Sequence, residues 1–356
     1  MLARSDRYII RAIFGLTGIV GLGLVTLYSF ISFITEIDQG DKSMGVLSIF
    51  KITVLTMPAG LYVLMPLVAM LGTLLGIGQM AAQSELTALR AAGYSNMRIG
   101  GAALVAGLLL GLLAVVLGES LAPAGQQAAE RVKVAASSGG EVDRGVRSKP
   151  LWLRDGGNIY FIRSLQSRDR FADAEIYRFN DKLQLGSILS VEKARHLDGL
   201  WHLSGVVETQ FEDDAVRVDE LGEMDWHSGL DPEVLELYVL EADTVSAAGL
   251  LRLARYLESN GLDATDQRLE LWRKIIAPIT VMAMVLFAVP FVFGPTRGGG
   301  AGQQLLIGVL VGVGFHLLNE VSANLGVLYG WTAPVAAGLP TFALLLYAAA
   351  RLATAR

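Results

Sequence analysis

Long apolar runs set the organisation of this chain. Blocks at Ile13–Ile34, Pro58–Gln79, Ile99–Ala122, Ile275–Phe293, Gln304–Ala323 and Ala333–Ala350 are each dominated by aliphatic residues. Each is close to the roughly 20 helical residues that cross about 30 Å of hydrocarbon. The mostly polar segment Pro123–Lys274 separates the third block from the fourth. The pattern predicts a membrane α-helical bundle of six transmembrane helices, three before and three after an inserted domain. The expected limits are 1–122 for the first three helices, 123–268 for the insert and 269–356 for the last three.

The insert changes period. Trp201, Leu203, Val207 and Phe211 alternate with His202, Ser204, Glu208 and Gln210, as on a half-buried strand. Leu151–Leu153 and Asn158–Arg163 flank Asp155-Gly156-Gly157, a hairpin signal. Glu175–Phe179, Ser187–His196 and Val216–Trp226 supply further strands. Successive strands without helices between them point to an all-β sandwich or jelly roll. Residues 246–258 then predict an amphipathic linking helix, with Leu250, Leu253, Ala254 and Leu257 inward and Asn260-Gly261 as its stop.

Between the second and third apolar blocks lies GIGQMAAQSELTALRAAG, Gly76–Gly93. It is too short and polar to span a membrane. Residues 84–92 predict a small helix lying on a membrane face. Ser84 is placed as its N-cap, Glu85 in its first turn, Arg90 in its last, and Gly93 just beyond its end. Ala82, Leu86 and Leu89 form an apolar edge. That edge suits either a groove on another protein or the chain's own bundle.

Charge orients the bundle. Arg4, Arg7, Arg11, Arg90, Arg98, Arg297, Arg351 and Arg356 all fall on one side of the predicted membrane. The opposite short loops hold only Lys42 and Lys51. By the positive-inside rule both termini and the small helix are cytoplasmic and the insert is outside, in the periplasm if the cell is Gram-negative. Gly72/Gly76, Gly107/Gly111 and Gly308/Gly312 are GxxxG pairs of the kind that lets helices approach closely. Pro58, Pro66, Pro278, Pro290, Pro334 and Pro340 predict kinks or helix starts.

Two spans carry polar stripes. His316, Asn319, Glu320 and Asn324 share a face of the fifth, and Ser29, Ser32 and Glu36 share a face of the first, beside Phe30 and Phe33. Polar groups at that depth face a cavity or a partner helix, or snorkel to the interface. The mixture suits a wall that meets an amphiphile better than an ion path. Phe30, Ser32, Phe33, Phe315, His316, Asn319 and Glu320 are the candidate lining. Lys42, Lys51, Arg131, Lys133, Arg144, Arg147 and Lys149 gather at the outer edge; they suit either lipid phosphates or ordinary headgroup anchoring. Of these, Lys42, Arg131 and Lys133 are the chosen phosphate contacts.

Composition removes several classes. Hydrophobic residues make up 53% of the chain and charged residues 18%, and the net charge is −5, a poor match to nucleic acid. With no cysteine, disulfides and thiolate chemistry are excluded. There is no GxxxxGK[ST] motif, so the chain has no Walker-type nucleotide site. The run Gly294–Gly302 reads as a turn, and so does Glu212-Asp213-Asp214. The histidines His196, His202, His227 and His316 lack ligand spacing, so neither metal nor cofactor is expected.

Segments across the whole chain carry a family resemblance: DRYI at Asp6–Ile9, LGTLLGIGQMAAQSELTALRAAG at Leu71–Gly93, LAPAGQQ at Leu121–Gln127, GLWHLS at Gly199–Ser204 and FGPTR at Phe293–Arg297. They are similar to the LptF/LptG permeases of the lipopolysaccharide export machine. The resemblance implies a non-enzymatic subunit of an inner-membrane ABC transporter, the LptBFG complex. It also implies an LptB-type ATPase dimer, an LptF-type paralogous permease, and LptC leading to LptA as partners, with lipopolysaccharide as substrate. Glu85 and its neighbours would then dock on the ATPase, and Lys133 and His316 would fall at substrate-contacting positions. Ser32 and Ala59 stand where family members can carry lysine. The alternatives are a mechanotransmission ABC subunit that passes no lipid and an intramembrane lipid-modifying enzyme using Glu119 or Glu320.

Overall fold

The computed structural model describes residues 4–39, 44–137, 150–167, 169–180, 184–212, 215–228, 230–239, 245–293 and 301–354. The chain divides into two compact units, 1–133 with 268–356, and 134–267.

The first unit is the helical bundle. It contains α1 (Arg4–Gln39), α2 (Val46–Ala82), the short α3 (Glu85–Ala91), α4 (Asn96–Val116), a π-helical turn (Leu117–Leu121) and most of α5 (Ala122–Ser137). After the insert it continues with α8 (Thr265–Phe293), α9 (Ala301–Tyr329) and α10 (Ala333–Thr354). Among the described residues, six helices are long and apolar enough to cross a membrane. Each contains one of the expected apolar blocks. α2 starts at Val46, ahead of the block's Pro58, which therefore sits inside the helix with Pro66. The third span passes without a break through the π turn into α5, whose polar sequence had concealed a helix.

The glycine pairs explain how the bundle closes. A Cβ on Gly72 would stand 2.4 Å from the Thr17 Cα of α1, and one on Gly76 would stand 3.0 Å from the Ala12 carbonyl oxygen. Gly107 and Gly111 meet Met282 and Pro278 of α8 in the same way. Gly308 and Gly312 of α9 leave room for Leu71 and Leu67 of α2. Where water supplies no driving force between helices, such close approach is what holds them together. α1 and α9 therefore both pack on α2. Ile9, Ile13, Met70, Ile77, Ile99, Leu110 and Val285 are among the residues of the buried core.

The second unit is the β domain. Its described strands are β1 (Leu151–Asp155), β2 (Asn158–Ser167), β3 (Arg170–Phe179), β4 (Leu185–Leu197), β5 (Leu200–Glu212) and β6 (Ala215–Trp226). They form one sheet in the order β1-β2-β3-β4-β5-β6, and every pairing is antiparallel. This order is a meander, without the crossovers of a two-Greek-key roll. The hairpin at Gly156 is as expected, with φ +58. Two helices follow, α6 (Pro232–Val239) and α7 (Ala247–Ser259). Ser246 caps α7 by accepting from the Gly249 N–H at 3.2 Å, and Leu250, Leu253, Ala254 and Leu257 are buried as expected.

One strand departs from its expected phase. Trp201 and Leu203 are buried, but Val206 and Glu208 follow them inward, and Phe211 is exposed. The cause is a bulge between Ser204 and Val206, where Gly205 has φ +65. One extra residue turns the alternation over. Glu208 is accommodated inside by Arg178 at 3.0 Å. The core also holds Tyr160, which donates to Ser228 at 3.0 Å and accepts from the Trp226 indole at 2.9 Å. Burial pushes its hydroxyl pKa above the usual tyrosine value.

Candidate functional site

At one end of the bundle, α3 joins α2 and α4 through two tight corners. Ser84 does not act as the expected side-chain cap. It has φ 63 and makes no side-chain capping bond. Gln83 ends α2, so Ser84 must turn the chain in the left-handed region, and an extended N-cap geometry is not open to it. Its carbonyl still accepts the first bond of α3, from the Ala88 N–H at 3.0 Å. The exit corner matches expectation. Gly93 has φ +87, Gly93 N–H reaches the Arg90 carbonyl, and Tyr94 N–H reaches the Leu89 carbonyl, each at 3.0 Å. This is the Schellman pattern.

The Ser84 turn folds α3 back onto the bundle. Leu86 is only 4% exposed and belongs to the core; Leu89 is half-buried against it. The expected bare apolar edge is therefore largely covered, with Ala82 left exposed. What α3 presents outward is Thr87, Ala88, Arg90 and Ala91. Glu85 faces α1, where the Tyr8 hydroxyl lies 2.8 and 3.0 Å from its two carboxylate oxygens. Beside it Asp6 is 3.5 Å from Arg98, Tyr94 donates to Asp6 at 3.4 Å, and the Arg98 guanidinium lies 4.3 Å above the Tyr94 ring. The DRYI motif thus lies where α1, α3 and α4 meet.

Toward the opposite ends of the spans, the polar stripe on α9 opens onto a pocket of about 170 Å³ between α2, α8, α9 and α10. His316, Asn319 and Glu320 line it, together with Tyr62, Arg273, Thr280 and Thr341. Asn324 bonds back to the Glu320 carbonyl at 2.9 Å. Phe315 does not join the lining. It is 7% exposed and belongs to the bundle core. Successive helical residues point about 100° apart, so the residue before His316 turns inward. Phe30 is 61% exposed, and Ser32 and Phe33 are half-buried. Of the chosen basic residues, Arg131 is exposed and Lys133 pairs with Glu36 of α1 at 2.8 Å. Lys42, Arg144, Arg147 and Lys149 lie outside the described residues.

The structure adds residues that the sequence reading passed over. Arg273 bridges Glu270 at 2.8 Å and Glu320 at 3.2 Å. Lys274 is buried. It donates to the Gly118 carbonyl of the π turn at 3.1 Å, lies 3.7 Å from Glu119 and sits 5.2 Å above the Tyr62 ring. The signal was available. Two adjacent basic residues directly precede the fourth apolar run.

These features define a multi-pass helical membrane protein with an inserted β domain, a short surface helix at one end of the bundle and a polar pocket among its spans. The chain belongs to the family of the lipopolysaccharide export system permease LptF/LptG, which it matches over residues 7–354. It is 30% identical over 310 residues, covering 86% of each chain, to the lipopolysaccharide export system permease protein LptG of Escherichia coli strain K12. It is 29% identical over 349 residues, covering 96% of each chain, to the protein of that name from Haemophilus influenzae.

Proposed function

We propose that this chain is the permease subunit of an ATP-driven exporter that takes lipopolysaccharide from the inner membrane. The lipid is passed to a periplasmic β bridge leading to the outer membrane. The positive-inside bias of Arg4, Arg7, Arg11, Arg90, Arg98 and Arg351 supports a cytoplasmic side for both termini and α3. The β domain is then periplasmic. A separate LptB-type ATPase dimer supplies the energy, an LptF-type paralogue completes the membrane unit, and LptC continues the bridge.

One observation carries this reading. Only 22% of the apolar window of α1 and of α9 is buried, against 33–61% for the other four spans. Both helices pack on α2, so their uncovered faces flank one helix. On α1 the uncovered residues include Leu22, Phe30 and Ile31; on α9 they include Leu310, Leu317 and Leu318. These faces form half of a cavity that the paralogous permease closes. The acyl chains meet the aliphatic surface, and His316, Asn319 and Glu320 offer polar partners beside it.

Docking of the ATPase uses the outward face of α3, not its leucine edge. A charge placed there opposes a packed interface without touching the bundle core. With Ala88→Arg, the ATPase should fail to co-purify while the chain still inserts and melts as wild type. ATPase recovery at full yield with Ala88→Arg overturns the docking assignment. Leu89→Asp is the less clean probe, because Leu89 is half-buried against the core.

A further inference from the structure

The polar cluster at the foot of α1 has no part in the lipid wall or in the outward face of α3. We propose that Tyr8 and Asp6 are positioning residues that transmit displacement of α3 into α1. The inference rests on the reading that α3 meets the ATPase.

The geometry supports transmission to α1 in particular. α3 is joined to α2 through the chain itself, at the Ser84 turn, and any push on α3 reaches α2 by that route. α1 has no covalent link to α3. What joins them is the Tyr8 hydroxyl on both oxygens of Glu85, at 2.8 and 3.0 Å, above the buried Leu86 and Ile9. A hydrogen bond to a carboxylate is stronger than one between neutral groups. The Asp6–Arg98 pair at 3.5 Å, with Tyr94 on the same carboxylate, fixes the first turn of α1 to the start of α4. The foot of α1 is thus held by Glu85 at the start of α3 and by Tyr94 and Arg98 just beyond its end. α1 is a single helix from Arg4 to Gln39. Phe30 lies about 33 Å beyond Tyr8 at about 1.5 Å per residue, so a small tilt at the foot is carried to the lipid wall. A glutamate at the start of α3 has capacity for a further donor besides Tyr8. Holding α1 therefore does not prevent it from meeting the ATPase.

The test uses the intact complex with a spin label on Ile37→Cys, an exposed position near the far end of α1 that is not among the lipid-wall residues, in a chain that has no cysteine of its own. ATP should shift the label in the wild-type background. With Tyr8→Phe, which removes only the hydroxyl of a half-exposed side chain, the ATPase should co-purify and hydrolysis should stay within about twofold. The label should stop responding, and lipid released per ATP should fall about tenfold, the scale of one lost hydrogen bond to a charged group. Asp6→Asn should act in the same direction. An ATP-dependent shift of undiminished size in both variants overturns the proposal. So does a fall in lipid release that merely follows hydrolysis, leaving the ratio unchanged. A wild-type complex that moves the label but releases no lipid contradicts the permease reading, and the label still decides the role of Tyr8.

Discussion

Gly72→Ala should break the bundle where α1 packs on α2. The added methyl would stand 2.2 Å from the Thr17 hydroxyl and 2.4 Å from the Thr17 Cα. The second atom is backbone, so no rotamer change relieves the clash, and α1 must move away from α2. Overpacking a well-packed site costs about 1–3 kcal/mol, and a rigid backbone neighbour puts this variant at about 3 kcal/mol or above. Gly18→Ala and Gly23→Ala lie on α1 with nothing within 4 Å of the new methyl, and both should be silent. Thermal melting of the purified chain separates the cases. A wild-type midpoint for Gly72→Ala would mean that α1 and α2 are not packed as described. Because α1 carries Phe30, lipid export should fail along with the packing.

Lys274→Met has the second largest effect. The ammonium is buried, bonded to the Gly118 carbonyl and close to Glu119. Removing one member of a buried pair costs about 3–5 kcal/mol, because the remaining charge is left in a poorly solvated place. The Glu119 side chain is 31% exposed, so water relieves part of that cost and the lower end, about 3 kcal/mol, is expected. In Lys274→Met/Glu119→Gln the two losses should not add, since both act on one interaction. The double variant should melt above the sum of the single losses. Additive losses would show that Lys274 and Glu119 do not act as a pair.

Much of the architecture was legible because it depends on length and spacing. Twenty apolar residues announce a span regardless of neighbours, and the GxxxG pairs marked contacts that all proved close. The errors share a different origin. Gly205 shows that strand periodicity holds only while its phase holds, and one residue at positive φ turned Val206 and Glu208 inward. Ser84 shows that a capping residue type says little when the preceding helix ends one residue earlier. Leu86 and Phe315 show that an apolar side chain near a functional surface is more readily claimed by the chain's own core. Amphipathic spacing identifies a face and cannot name what covers it. The contacts of Arg273 with Glu320 and of Lys274 with Glu119 escaped notice because those carboxylates are remote in sequence.

The uncovered faces of α1 and α9 should touch lipopolysaccharide during export. Photo-crosslinking from positions 30 and 316 in the intact complex tests it most directly, with the buried position 285 as control. Lipopolysaccharide adducts are expected at 30 and 316, depleted when ATP drives turnover, and none at 285. A complex that hydrolyses ATP and exports lipid while neither 30 nor 316 captures it would mean that these faces do not line the lipid's path.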